Sequence, residues 1–96
     1  MPLIIQKYGG TSLIEASSRE IVAKKVTAAR AQGEKVVLVI SAIGRRGYPY
    51  ATDTLLDLLT PYEGGADPLT SDLIASCGEI ISCCVISSLL NSKGIM

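Results

Sequence analysis

The sequence predicts an α/β fold with parallel strands, and three observations carry that reading. Leu3, Ile4 and Ile5 form a short apolar run that reaches Lys7 and is bounded by Gly9-Gly10, the pattern of a buried strand. A helical stretch follows, with Val22, Val26 and Ala29 on one face and Lys24, Lys25 and Arg30 elsewhere. Then comes Val36-Val37-Leu38-Val39-Ile40, five consecutive apolar residues of which four are β-branched, which reads as a strand covered on both faces. Strand, helix and continuous apolar strand make a right-handed, parallel βαβ unit.

Each element has its punctuation. The first helix has Ser17 and Glu20 at capping-box spacing and Gly33 as its C′ stop. After Ile40 lies a loop with Gly44, Gly47 and Pro49. A short helix is expected from near Thr52 to before Pro61, carrying Leu55, Leu56, Leu58 and Leu59. The stretch 63–68, with its glycines and a proline, reads as a loop. A long helix is expected from about Ser71 to Ser92, with Thr70 or Ser71 as N-cap, Asp72 favouring the positive end, and Lys93-Gly94 at the close. Ile95-Met96 reads as the start of another strand. There is no internal repeat. Two strands and three helices cannot bury five apolar faces, so residues 1–96 read as the opening, incomplete part of one larger domain.

Composition narrows the function classes. The 96 residues are 48% hydrophobic, 19% charged and 4% aromatic, with a formal net charge of +0. That is too apolar and too evenly charged for a disordered chain, and it gives no basic footprint for nucleic acid. The mean hydropathy of +0.39 is high for so short a soluble chain and predicts exposed apolar surface and self-association if the chain is made alone. Cys77, Cys83 and Cys84 form no disulfide framework; Cys77 and Cys84 lie about two helical turns apart, roughly 10 Å of rise. With no His and no Cys-x-x-Cys spacing, a zinc site is not expected, and the cysteines read as small apolar filler in a reducing cytosol. Leu3 to Ile5 is too short for the core of a signal peptide. From Leu73 to Leu90 the single charge is Glu79, and the run approaches transmembrane length. Ser76, Ser82, Ser87 and Ser88 interrupt it, and a mid-span acid costs about 2.5–3.5 kcal/mol on insertion scales. A helix buried inside a larger α/β domain is the better reading.

The residues able to carry chemistry cluster after the strands. Lys7-Tyr8-Gly9-Gly10-Thr11-Ser12 places a lysine at a strand end, then two glycines, then two hydroxyls. Ligands of open α/β sheets bind at the carboxyl ends of strands, glycines let backbone N–H groups approach an anion, and a lysine adds a point charge. The set suits a phosphate, although the order is not that of a P-loop, and a simple turn is the plainer alternative. Ser41-Ala42-Ile43-Gly44 follows the second strand at the same sheet edge, either completing a shared crevice with Lys7 and Gly9 or capping a turn. Thr52 or Asp53 can be a helix cap or a ligand contact. Glu79 falls on a mostly small or apolar stripe with Ser76, Cys83, Ile86 and Leu90, and so is expected to be at least half buried and to need a cation, from a salt bridge or from a ligand amino group. Arg45, Arg46 and Tyr50 lie in the intervening loop, as ligand contacts or as a solvated lid.

Together these blocks resemble a known family. Lys7-Tyr8-Gly9-Gly10-Thr11-Ser12 resembles the Lys-Phe/Tyr-Gly-Gly-Thr-Ser signature of aspartate kinases, members of the amino acid kinase family. Ser41-Ala42-Ile43-Gly44 resembles their Ser-Ala-Met-Gly loop, and Ala51-Thr52-Asp53-Thr54-Leu55-Leu56 and Cys77-Gly78-Glu79-Ile80-Ile81-Ser82 resemble the next two blocks, in order. The Gly44–Tyr50 insertion resembles that of monofunctional, lysine-pathway enzymes. Tyr8 replaces the commoner Phe, Ile43 replaces Met, and Tyr48 stands where an acid is often found.

The resemblance implies part of a three-layer αβα, carbamate kinase-like fold and a cytoplasmic enzyme that uses ATP and Mg²⁺ to convert L-aspartate to 4-phospho-L-aspartate, opening lysine, threonine and methionine biosynthesis. Lys7 would stabilise the transferring phosphoryl group. Lys7, Tyr8, Gly9, Gly10, Thr11, Ser12 and Ser41 would form the ATP side of the site. Ser41, Thr52 and Glu79 would hold aspartate, with Glu79 pairing its α-ammonium. The family's substrate-carboxylate arginine, adenine pocket, catalytic aspartate and regulatory ACT domains fall beyond Met96, so the segment alone is expected to be inactive and the full-length enzyme to be a homo-oligomer. A sister amino acid kinase acting on another carboxylate, and a non-catalytic interaction module, are the alternatives.

Overall fold

The alternation of strand and helix signals is realised in space as a parallel pair of strands with helices on one side. The computed structural model describes residues 2–62, 64–65 and 67–95. Strand β1 spans Leu3–Tyr8, a 3-10 turn Gly10–Leu13, helix α1 Ala16–Ala31, strand β2 Lys35–Ile40, helix α2 Thr52–Asp57, a second 3-10 turn Thr60–Tyr62, and helix α3 Pro68–Ser92. The strands pair in parallel with Leu3 opposite Lys35 and Tyr8 opposite Ile40. The expected βαβ unit is therefore present, and both strands end at the same edge.

The core lies on one face of this sheet. Leu13, Val22 and Ile86 are buried together, and Tyr8, Leu38, Ile40, Ile43 and Leu90 pack against them. Because successive side chains of a strand point to opposite faces, residues of the same two strands are left bare on the other side. Leu3, Ile5, Val37 and Val39 are 62%, 66%, 45% and 43% exposed. The expectation of strands covered on both faces is corrected to one covered face, since α1 and α3 both pack on the side of Leu38 and Ile40.

Helix termini correct several boundaries. The N-cap of α1 is Glu15 with no side-chain cap bond, so the Ser17–Glu20 capping box does not form. Both residues already lie inside the helix, and Glu20 instead meets Lys93 at 2.8 Å. Arg19 secures the entry, its guanidinium donating to the carbonyls of Leu13 and Ile14 at 2.7 and 2.9 Å. The C-terminus of α1 ends as the sequence predicts. Gly33 adopts φ +81°, its N–H donates to Arg30 O at 2.9 Å, and Glu34 N–H donates to Ala29 O at 3.1 Å. This is the Schellman pair of bonds, which only a residue tolerant of positive φ supports without strain. Gly94 ends α3 identically, with Gly94 N–H on Asn91 O and Ile95 N–H on Leu90 O, both at 3.0 Å.

Helix α3 begins three residues before the expected Ser71. Pro68 occupies its first turn, and the Asp67 carboxylate caps it by accepting from Thr70 N–H at 2.7 Å. Proline reads as a loop residue, yet its fixed φ and missing N–H suit the first helical position. Glu63 and Ala66 of the expected 63–68 loop, and Met96 of the expected third strand, lie outside the described residues. Short helix α2 starts at Thr52 with Ala51 as N-cap, so neither Thr52 nor Asp53 caps it.

Two expectations about α3 are also corrected. The helix buries one narrow stripe, Gly78, Ser82 and Ile86, spaced by four residues, rather than being buried all round. Cys77, Cys83 and Cys84 fall off that stripe and are exposed, not core filler. By length and composition alone Pro68–Ser92 is apolar enough to cross a membrane. In this fold its small-residue stripe packs on the loop and helix beneath it.

Candidate functional site

The site forms where the two strands end. Ser41 N–H donates to Tyr8 O at 3.3 Å, and Gly44 N–H donates to Gly10 O at 3.0 Å, so the segments leaving β1 and β2 are joined. Their approach depends on Gly10. A Cβ there would lie 2.5 Å from Ala42 O and 2.6 Å from Gly44 O, closer than real side chains come to a backbone carbonyl. Helix α3 backs this junction through a second missing side chain. A Cβ on Gly78 would lie 2.6 Å from Tyr50 O and 2.9 Å from Ala42 Cβ. Sequence reasoning gave Gly78 no role beyond its motif; the available signal was a glycine inside a long helix, which is destabilising unless close packing requires it.

Beside the junction is an open cavity of about 430 Å³, lined by Gly10, Ser41, Gly44, Arg45, Arg46, Thr52 and Asp53, with Ala42 and Ala51 completing its wall. Gly10, Ser41 and Thr52, expected from separate motifs, are thus brought together. Arg46 forms an ion pair with Asp57, and Gly47 N–H donates to Thr54 Oγ1 at 3.3 Å, tying the 44–50 loop to α2. The hydrogen bond and charge of Asp57, with Asp53 nearby, raise the Arg46 pKa further above its ordinary value. Two hydroxyls and the Arg45 guanidinium around one cavity are equipped to bind an oxyanion, whereas Arg46 is taken up by Asp57.

Other expected residues lie elsewhere. Tyr8, Thr11 and Ser12 line a separate cavity of about 290 Å³ with Ser18, Ile21 and Lys25. There the Tyr8 hydroxyl donates to Gln6 Oε1 at 2.8 Å, burial raises its pKa, and Lys25 Nζ stands 5.8 Å from the ring centre. Lys7 is exposed, opposite Val39, and lines neither cavity. Gly9 is exposed, its carbonyl accepting from Ser12 N–H at 3.1 Å. The shared crevice expected for Lys7, Gly9 and Ser41 is therefore corrected: Ser41 lines the larger cavity, whereas Lys7 and Gly9 line neither.

Glu79 is exposed rather than half buried. Gly78 and Ser82 occupy the inward stripe, and the next residue is rotated about 100° away from it. The sequence alone does not assign Arg45 and Arg46, and both line the cavity. Among the described residues no group of three His, Cys, Asp or Glu side chains could hold a metal ion. Asp53 is the one carboxylate lining the larger cavity, so the described residues do not make a magnesium site by themselves.

Comparison with known proteins agrees with this architecture. The chain is 44% identical over 95 residues to Aspartokinase 1 of Bacillus subtilis (strain 168), a match covering 99% of this chain and 24% of that protein. It is 36% identical over 94 residues to an Aspartokinase of Mycobacterium bovis, covering 98% of this chain and 21% of that protein. The solved aspartate kinase from Synechocystis superposes with a TM-score of 0.82 at 28% identity, covering 97% of this chain and 15% of that one. The chain thus spans about a quarter or less of the length of these relatives. The profile of the amino acid kinase family matches residues 2–96, and the chain belongs to that family.

Proposed function

We propose that this chain is the N-terminal segment of an aspartate kinase, supplying part of the site at which ATP phosphorylates L-aspartate to 4-phospho-L-aspartate. The observation that carries the reading is the cavity at the strand ends, which unites Ser41 and Thr52 from two different motif blocks beside Gly10. Phosphoryl transfer relies mainly on positioning and charge neutralisation rather than covalent chemistry. Ser41 and Thr52 offer hydroxyls to the substrate, Gly10 lets the backbone approach it, and Lys7, exposed near the end of β1 and outside the cavity lining, is assigned the charge for the transferring phosphoryl group. Tyr8, Thr11 and Ser12, which line the separate cavity, and the exposed Gly9 are assigned to the ATP side. Glu79, with its carboxylate exposed, remains the partner assigned to the aspartate ammonium. Mg²⁺ would supply charge neutralisation at the phosphates when bound, and Asp53 is the one carboxylate that the described cavity could offer it. The full-length protein is proposed to be a cytoplasmic homo-oligomer serving lysine, threonine and methionine biosynthesis, and the 96-residue segment alone to be inactive.

The test is made in the full-length protein. Lys7→Ala is expected to lower kcat about 100-fold or more, as for removal of a preorganised charge at the transition state. An unchanged kcat removes Lys7 from catalysis. Glu79→Ala is expected to raise the aspartate KM more than the ATP KM. Preference for glutamate or acetylglutamate over aspartate would select the sister-kinase alternative.

A further inference from the structure

The two arginines of the 44–50 loop are not equivalent. Arg46 is engaged by Asp57, and Asp53 adds to the negative field around the same guanidinium. Arg45 has no ion-pair partner among the described residues, yet it lines the same cavity as Ser41 and Thr52. Its backbone is held on both sides. Gly44, at φ +87°, is bonded to Gly10, and Arg45 O accepts from Tyr48 N–H at 2.9 Å. That bond closes a four-residue turn whose third position is Gly47 at φ +100°, the signature of type II. The Arg46–Asp57 pair and the Gly47–Thr54 bond then tie the turn to α2. A cation on a fixed backbone, with no ion-pair partner among the described residues and lining one cavity with the hydroxyl-bearing Ser41 and Thr52, is arranged to recognise an oxyanion, Asp53 being the one carboxylate of that lining.

We infer that Arg45 is an anion-binding residue of the candidate site, contacting either the carboxylate of the acceptor or a phosphoryl oxygen, with the Arg46–Asp57 pair holding the loop in place. The chemistry is common to both sources, and the choice of those two anions rests on the kinase reading. In the proposed reaction Arg45 is a specificity-determining residue, distinct from the lysine at the strand end.

Calorimetric titration of the full-length protein with inorganic phosphate and, separately, with L-aspartate tests this. Arg45→Gln is expected to weaken binding of one of them by about 10- to 100-fold, the loss of a charge-assisted hydrogen bond. Whichever anion weakens identifies the group contacted. Arg45→Lys, which keeps the charge but not the fork, is expected to lose less. Lys24→Gln, an exposed charge on α1, controls for bulk charge and is expected to bind as the parent does. Because Arg45 is exposed, its replacement is expected to leave the fold intact. Unchanged binding in Arg45→Gln, an equal loss in Lys24→Gln, or a parent that binds neither anion would each overturn the inference. A parent that binds phosphate through Arg45 but does not phosphorylate aspartate would retire the kinase reading and leave the anion site standing.

Discussion

The two faces of the β1–β2 sheet are made from the same residue types and meet opposite fates. On one, Leu38 and Ile40 pack with Tyr8 against Leu13, Val22 and Ile86. On the other, Leu3, Ile5, Val37 and Val39 are open to solvent. Nothing in a continuous run such as Val36–Ile40 separates the faces, because every position is apolar. The contrast teaches that apolar content records the environment a strand is suited to, whereas burial depends on what packs against it, and here α1 and α3 cover one face only.

Leu13→Ala attacks the packed face and is expected to destabilise the full-length protein by about 2–5 kcal/mol, read from urea unfolding. Its counterpart Val37→Asp sharpens the contrast: within the 96-residue segment it is expected to cost less than about 0.5 kcal/mol, and in the full-length protein to match the core substitution. Equal costs in both settings would mean that the bare face stays bare. Gly78→Ala probes the contact between α3 and the cavity wall, where a methyl group meets Tyr50 O and Ala42. It is expected to cost about 1–3 kcal/mol despite the better helix propensity of alanine.

Ser82 lies fully buried on the same stripe, and its Oγ has no hydrogen-bond partner among the described residues. Ser82→Ala is therefore expected to be neutral or to stabilise by about 1 kcal/mol. A marked loss of stability would reveal a partner for the hydroxyl. Asp67 gives the smallest effect. Its bond from Thr70 N–H lowers its pKa below the ordinary 3.8, so its contribution is complete above that value and fades as pH falls through the lowered one. Asp67→Asn should flatten the stability profile below about pH 4 and leave neutral stability nearly unchanged, since Asn also caps helices well.

The sequence was most legible where local chemistry decides structure. The βαβ order follows from Leu3–Ile5, the Val22-Val26-Ala29 face and Val36–Ile40. Gly33 and Gly94 ended their helices because positive φ is a local demand. Ser41 is legible as a strand-end residue, whereas its meeting with Thr52 in one cavity is expected only from the family resemblance. What was illegible depended on distant partners. Ser17 and Glu20 had capping-box spacing, but Glu20 found Lys93, 73 residues away in sequence. Glu79 shared a helical stripe with Ile86 and Leu90 on paper, whereas the close approach of Gly78 to Tyr50 and Ala42 rotated the inward line by one residue. The division of the glycine-hydroxyl motif between two cavities was likewise invisible, because it follows from how the Gly10–Leu13 turn packs against the 41–44 segment.

The contact at Gly78 has a mechanical consequence. It lies near the middle of a 25-residue helix, so from this point to Ser92 the rod extends about 21 Å at about 1.5 Å per residue. Held where its backbone abuts Tyr50 and Ala42, and farther along by Ile86, Leu90 and the Lys93–Glu20 pair, the rod is a splint that braces the cavity wall against the core and the far end of α1.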